Sequence, residues 1–243
     1  MNIIKFAMLL LLITAASASA RPVIADLSLR QIEIDSGFKG TEVLLFGARN
    51  DAGDVVVVVR GPELSYVVRK KERVAGIWVN KKEAIFDNVN GFYVVASSRQ
   101  LDGIKNDLLL SKLGIGMENL ELESTSSNKI DKKEFQTALL NMQEQEKLYY
   151  PEVGEVSFIG DTLFRTIIKI PDNVLKGEYT AEVYLFSDGQ LIGLQSTPLI
   201  VRKKGFDALV FDFAYQYPAI YGILAVLLAL CSGWIAGAVF RKV

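Results

Sequence analysis

Asp54-Val55-Val56-Val57-Val58-Val59-Arg60 decides the fold. Five consecutive β-branched residues are stiff at χ1 and suit a pleated surface better than a helix. No polar residue alternates among them, so the run reads as a strand buried on both faces and not as an exposed edge. Short β-rich segments flank it at 27–34, 42–48, 65–70, 74–80 and 92–97. Turn chemistry separates them: Asn50-Asp51-Ala52-Gly53 and Asn90-Gly91 read as turns, and Gly61-Pro62 ends the valine strand. Residues 21–99 therefore have the layout of a β-sandwich.

The period changes beyond residue 99. Leu101, Ile104 and Leu108 recur at helical spacing up to Gly114, a C-cap residue. Asp131 stands three residues before Glu134, a capping pattern, and Phe135, Ala138, Leu139 and Met142 form the apolar stripe behind it. A polar segment at 121–129 joins the two helices, and Ser124-Thr125-Ser126-Ser127-Asn128 within it reads as a loop. Strands return at 155–159, 162–170, 178–186 and 190–202. Thr180, Glu182 and Tyr184 alternate with Ala181, Val183 and Leu185, and Asp188-Gly189 signals a two-residue hairpin. Four such strands either complete the first sheet or form a second small immunoglobulin-like sandwich. The reading favoured is mainly β: immunoglobulin-like modules at 21–99 and 151–213 with a two-helix insertion at 100–150.

The two ends set the location. Residues 220–240 are an unbroken apolar run closed by Arg241 and Lys242, and a helix over that run rises roughly 31 Å, enough to cross a bilayer. A transmembrane helix is expected over 214–240, with a cytoplasmic tail at 241–243. At the other end Lys5 precedes an apolar run at 6–13 and small residues at 15–20, the pattern of a signal peptide over 1–20. The signal carries the following domain across, and the later helix stops transfer with Arg241 and Lys242 inside. Arg202, Lys203 and Lys204 compete by charge count, but a long domain crosses largely regardless of charge. Tyr215, Tyr217 and Tyr221 then collar the outer interface, with Trp234 nearer the inner one.

Lys and Arg number 27 against 28 Asp and Glu, and that balance argues against a nucleic-acid partner. Histidine is absent, which removes Ser-His-Asp and Cys-His nucleophiles and the HExxH zinc site. The lone cysteine, Cys231, lies in the apolar run, so the exported domain has no disulfide. Gly114-Ile115-Gly116 falls short of a dinucleotide fingerprint, and Glu121 with Glu123 has no spacing argument for acid-base chemistry or calcium. No catalytic residue, metal or cofactor is expected.

Several stretches resemble the alphaproteobacterial putative transmembrane protein family. They are Leu45-Phe46-Gly47-Ala48, the run from Asp54 through Pro62, and above all Arg73-Val74-Ala75-Gly76-Ile77-Trp78-Val79-Asn80. Tyr93-Val94-Val95-Ala96-Ser97-Ser98-Arg99, Tyr184-Leu185-Phe186-Ser187-Asp188-Gly189 and the region from Tyr221 to Trp234 extend the resemblance over nearly the whole mature chain. It implies a protein of the bacterial inner membrane facing the periplasm, with no activity attached. It also implies company with sulfite-exporter-type permeases.

Three features are candidates for function. Arg60, Arg69, Lys70, Lys71, Arg73, Lys81 and Lys82 stand against only Glu63 and Glu72 in the same stretch. Gathered on one surface they attract anions, lipid headgroups or an acidic partner; the competing reading is a solvated sheet face. Trp78, with Asn80 beside it and Arg73 near, reads first as a sandwich centre and second as a binding hot spot. Ala225, Ala229, Gly233 and Gly237 recur every four residues, a smooth stripe on which another helix packs closely. The function expected is binding: a membrane-tethered periplasmic accessory of an integral membrane protein such as a permease. The alternatives are a histidine-free periplasmic hydrolase and a self-associating envelope scaffold.

Overall fold

The computed structural model describes residues 21–124 and 129–240. The signal peptide, most of the Ser124 to Asn128 loop, the capping side chain of Asp131 and the cationic tail lie outside the described residues or side chains.

Thirteen strands form three sheets among the described residues. Sheet A runs β1 (Val23–Leu27), β3 (Thr41–Arg49), β11 (Leu163–Ile170), β10 (Ser157–Ile159). Sheet B runs β2 (Gln31–Ile34), β13 (Gln190–Lys203), β12 (Gly177–Ser187), β4 (Asp54–Arg60), β7 (Tyr93–Ser97), β9 (Gly154–Glu155). Sheet C joins β5 (Glu63–Val74), β6 (Ile77–Asn90) and the short β8 (Glu123–Ser124). The protein is mainly β, as its sequence predicts.

The valine strand β4 lies inside sheet B between β12 and β7, and all five valines are buried. Alternation sends Val55, Val57 and Val59 to one side and Val56 and Val58 to the other. One core joins those valines to Val43, Leu45, Phe164 and Ile168 of sheet A and to Leu110, Ile115 and Tyr149 of the helical insertion. Two separate β modules are favoured by spacing, but sheets A and B each combine strands of 21–99 with strands of 151–213, and both stretches contribute to this core. The reason is pairing: β12 docks on β4 over seven residue pairs and β11 on β3 over eight, so neither sheet A nor sheet B belongs to one half alone.

The insertion also differs from its periodicity. A 3-10 turn at Leu101–Ile104 is cut off by Lys105 at φ 58, and Asn106 then caps a separate short α1 (Asp107–Lys112). The break rotates Leu108 off the stripe to the surface, leaving Leu110 as the buried residue. Gly114 does end α1: at φ +60 its N–H donates to Ser111 O while Ile115 N–H donates to Leu110 O, the Schellman pattern. Helix α2 (Lys129–Gln145) lays Phe135 and Leu139 on Val68, Ala84 and Phe86 of sheet C, a second core apart from the first; Met142 stays exposed.

Asp188-Gly189 forms the β12–β13 turn with φ 48 and 76, as expected. Asn90-Gly91 reverses nothing. Gly61 N–H donates to Phe92 O and Gly91 N–H to Pro62 O, both at 2.8 Å, so the β4–β7 ladder continues into β5–β6 as one long ribbon. The ribbon reverses at Ala75-Gly76, φ 50 and 87, in the middle of the strand expected over 74–80. After β13, α3 (Phe206–Gln216) leads to Tyr217, and Pro218 opens α4 (Pro218–Phe240). Tyr217 is non-helical because a residue before proline is pushed out of the α region. A helix α3 was not expected, and the apolar helix begins at Pro218, four residues later than read.

Candidate functional site

Register sorts the candidate residues on the ribbon. Inward, Tyr66, Val68 and Lys70 of β5 oppose Phe86, Ala84 and Lys82 of β6, the side covered by α2. Both irregularities, at Leu64/Tyr66 and Lys70/Lys71, place the extra residue on β6, which bends that strand twice. The second one resets the alternation at Lys81. Arg69, Lys71 and Arg73 consequently share the outer face with Glu83, Asn80 and Trp78.

Five of the seven predicted binding residues thus meet on one face: Arg69, Lys71, Arg73, Trp78 and Asn80. Trp78 is 66% exposed, so the sandwich-centre reading is wrong. Ile77 (69%), Val74 and Val79 are exposed beside it, and the turn pairs Val74 with Ile77. Arg69 pairs with Glu83 at 3.1 Å and Lys81 with Glu72 at 2.8 Å. The hydrogen bond from Lys81 holds the Glu72 carboxyl below its usual range, with Lys70 and Lys82 adding charge in the same sense. Lys70 belongs to the inner side, where it pairs with Glu134 of α2.

Arg60 is elsewhere. It is mostly buried against Glu182, and its Nη2 donates to Leu113 O at 2.7 Å and Gly114 O at 3.3 Å. Those carbonyls end α1, so the guanidinium satisfies a helix terminus and pins the insertion to sheet B. Tyr93 Oη donates to Gly114 O at 2.7 Å and accepts from Gly116 N–H at 2.9 Å, and Tyr184 Oη donates to Glu182 at 2.9 Å. Burial pushes the Tyr93 phenol up to about 12. Arg60 is a clamp in the fold, separate from the ribbon tip.

The membrane-helix stripe stands open. Ala225, Ala229, Gly233 and Gly237 are exposed on α4, and a Cβ built on Gly233 or Gly237 meets nothing within 4 Å. Ala225 also lines an apolar cleft of about 500 Å³ at the α3–α4 junction with Val210, Phe213, Tyr221, Leu224 and Leu228.

One apolar surface was missed in the sequence. Ile24, Phe46, Leu163 and Ile167 are 45–58% exposed on the outer face of sheet A, where the register puts Ala48 between Ile24 and Leu163, Leu44 beside Ile167, and Phe46 between Asp26 and Arg165. The residues 163–170 carry the only advance sign: Leu163 and Ile167 are apolar at the positions where alternation calls for polar ones.

Among the described residues no group of three His, Cys, Asp or Glu is placed to hold a metal ion. One described helix, over Pro218–Gly237, is long and apolar enough to cross a membrane, and none of it is buried in the protein. No curated protein matches the chain. The model of the family described as putative transmembrane protein (Alph_Pro_TM) matches residues 22–242, sheets and apolar helix together, and the chain belongs to that family.

Proposed function

We propose that the protein is a membrane-anchored accessory subunit that acts by binding an integral membrane protein. Export by the amino-terminal signal would put the β domain in the periplasm, with α4 in the inner membrane and the cationic tail in the cytoplasm. The observation that carries the reading is uncovered apolar surface in both halves of the molecule. In lipid it is the α4 stripe; outside it is the face of Ile24, Phe46, Leu163 and Ile167. Small residues let a second helix approach α4 closely enough for van der Waals packing, the main source of helix association in lipid. Large apolar side chains exposed together on one sheet face, with Asp26 and Arg165 among them, favour a protein contact. A permease of the sulfite-exporter type is the partner class proposed.

Detergent extraction of the full chain, followed by mass spectrometry of what co-purifies, tests this. One stoichiometric polytopic protein supports the accessory role, and a homodimer alone replaces it with a self-associating scaffold. The double substitution Gly233→Ile and Gly237→Ile is expected to reduce recovery of the partner at least tenfold while circular dichroism of the β domain stays unchanged. Undiminished recovery removes α4 from the assembly.

A further inference from the structure

We infer that the tip of the β5–β6 ribbon is a second membrane-contact site, inserting Trp78 and Ile77 into the anionic surface of the same bilayer that α4 crosses. The inference rests on the membrane anchoring and goes beyond the accessory role. Its first support is chemical. Val74, Ile77, Trp78 and Val79 are all 40% or more exposed around a tight turn, an apolar end that water does not favour. Behind it, the sequence over residues 69–83 carries Arg69, Lys70, Lys71, Arg73, Lys81 and Lys82 with Glu72 and Glu83; Lys70 is held inward by Glu134 of α2, and Lys71 and Arg73 lie on the outer face with Trp78. Apolar tip and cationic collar match the two layers of a bilayer surface, acyl boundary and anionic headgroups, and tryptophan prefers the interface between them. Trp78 stands two residues from the turn, so its depth of entry is on the order of 5–10 Å, an interfacial depth.

The second support is direction. β4 and β13 are both antiparallel to β12, so they run the same way. The chain therefore leaves sheet B at one end twice, from Arg60 into the ribbon and from Lys203 toward α3 and α4. The two exits are adjacent. Pro62 at the ribbon base lies so close to Gly177 that a Cβ there would sit 2.8 Å from it, and the neighbouring Lys176 places its Nζ 5.7 Å from the Phe211 ring of α3. The third support is reach. Twelve residues of β5 extend roughly 40 Å at the rise of a strand, against roughly 16 Å for the 11 residues of α3, so the tip is long enough to meet the bilayer where α4 enters it.

The chain has two tryptophans, so Trp234→Phe leaves Trp78 as the sole indole reporter. The full-length variant is reconstituted into vesicles of phosphatidylglycerol with phosphatidylcholine, or of phosphatidylcholine alone, each with and without brominated acyl chains. In anionic vesicles Trp78 emission should be blue-shifted and quenched by bromine. Quenching should fall at least twofold in neutral vesicles, and again when Lys71→Gln and Arg73→Gln are added, two exposed positions outside both cores. Water-like emission with full acrylamide quenching in both vesicle types overturns the inference. So does a blue shift that bromination does not affect and that grows with protein density, which marks a second copy. Quenching only by brominated vesicles added from outside would mean contact with an opposing membrane and would overturn the same-bilayer assignment. A negative result here leaves co-purification through α4 untouched, and a monomer in that experiment leaves the Trp78 signal intact.

Discussion

Arg60 and Trp78 exchange the roles that composition gives them. Arginine in a basic run is read as surface charge, yet Arg60 is spent on Glu182 and on the α1 terminus. Tryptophan amid valine and isoleucine is read as core, yet Trp78 is exposed at the ribbon tip. Replacing Arg60 by methionine strips Glu182 of its ion-pair partner, leaving it the Tyr184 hydroxyl, and leaves Leu113 O without its donor. The expected cost is about 2–3 kcal/mol, below the value for a fully buried pair because both side chains keep some exposure. Urea unfolding of the purified protein in detergent measures it. Adding Glu182→Leu should return part of the loss, since removing both partners leaves no orphaned charge.

At the scale of elements, the ribbon and α2 form a unit of their own. Their core of Val68, Ala84, Phe86, Val89, Leu122, Phe135 and Leu139 is distinct from the one beneath sheet B. Two-stranded ribbons are marginal alone in water, so α2 is what keeps the inner half of β5–β6 ordered. Phe135→Ala should remove about 3–5 kcal/mol from this unit. Amide hydrogen exchange is the check: protection should drop over residues 63–90 and 129–145 while β4 and β12 keep theirs. Equal loss everywhere would mean that the two cores unfold as one.

The whole molecule carries an alkaline signature. Tyr93, Tyr149 and Tyr179 are all held protonated beyond the ordinary phenol range, in each case chiefly by burial. A raised folded value means that the stabilisation is complete below the unfolded value of 10.0 and is lost as pH climbs through the folded one, about 12 for Tyr93. Unfolding free energy should hold up to about pH 9 and then fall, each tyrosine adding about 1.4 kcal/mol per pH unit. Tyr93→Phe should be less stable at neutral pH, having lost two hydrogen bonds, but should lose stability less steeply above pH 10.

By itself the sequence determined the β class, the burial of β4, the Asp188-Gly189 hairpin, the Gly114 cap and the apolar helix. Each depends on neighbours within a few positions, through β-branching, φ > 0 turns and unbroken hydropathy. Only the tertiary structure decided that the two β stretches form one core, because strand pairing joins residues more than a hundred positions apart, Val57 with Val183 and Leu45 with Thr166. It also decided the face of Trp78. Unbroken alternation would put Trp78 with Ala84 and Phe86 against α2; one extra residue at Lys81 turns it outward beside Lys71 and Arg73. A period of two has no memory across a bulge, and whether a bulge forms depends on the partner strand, not on the strand's own residues.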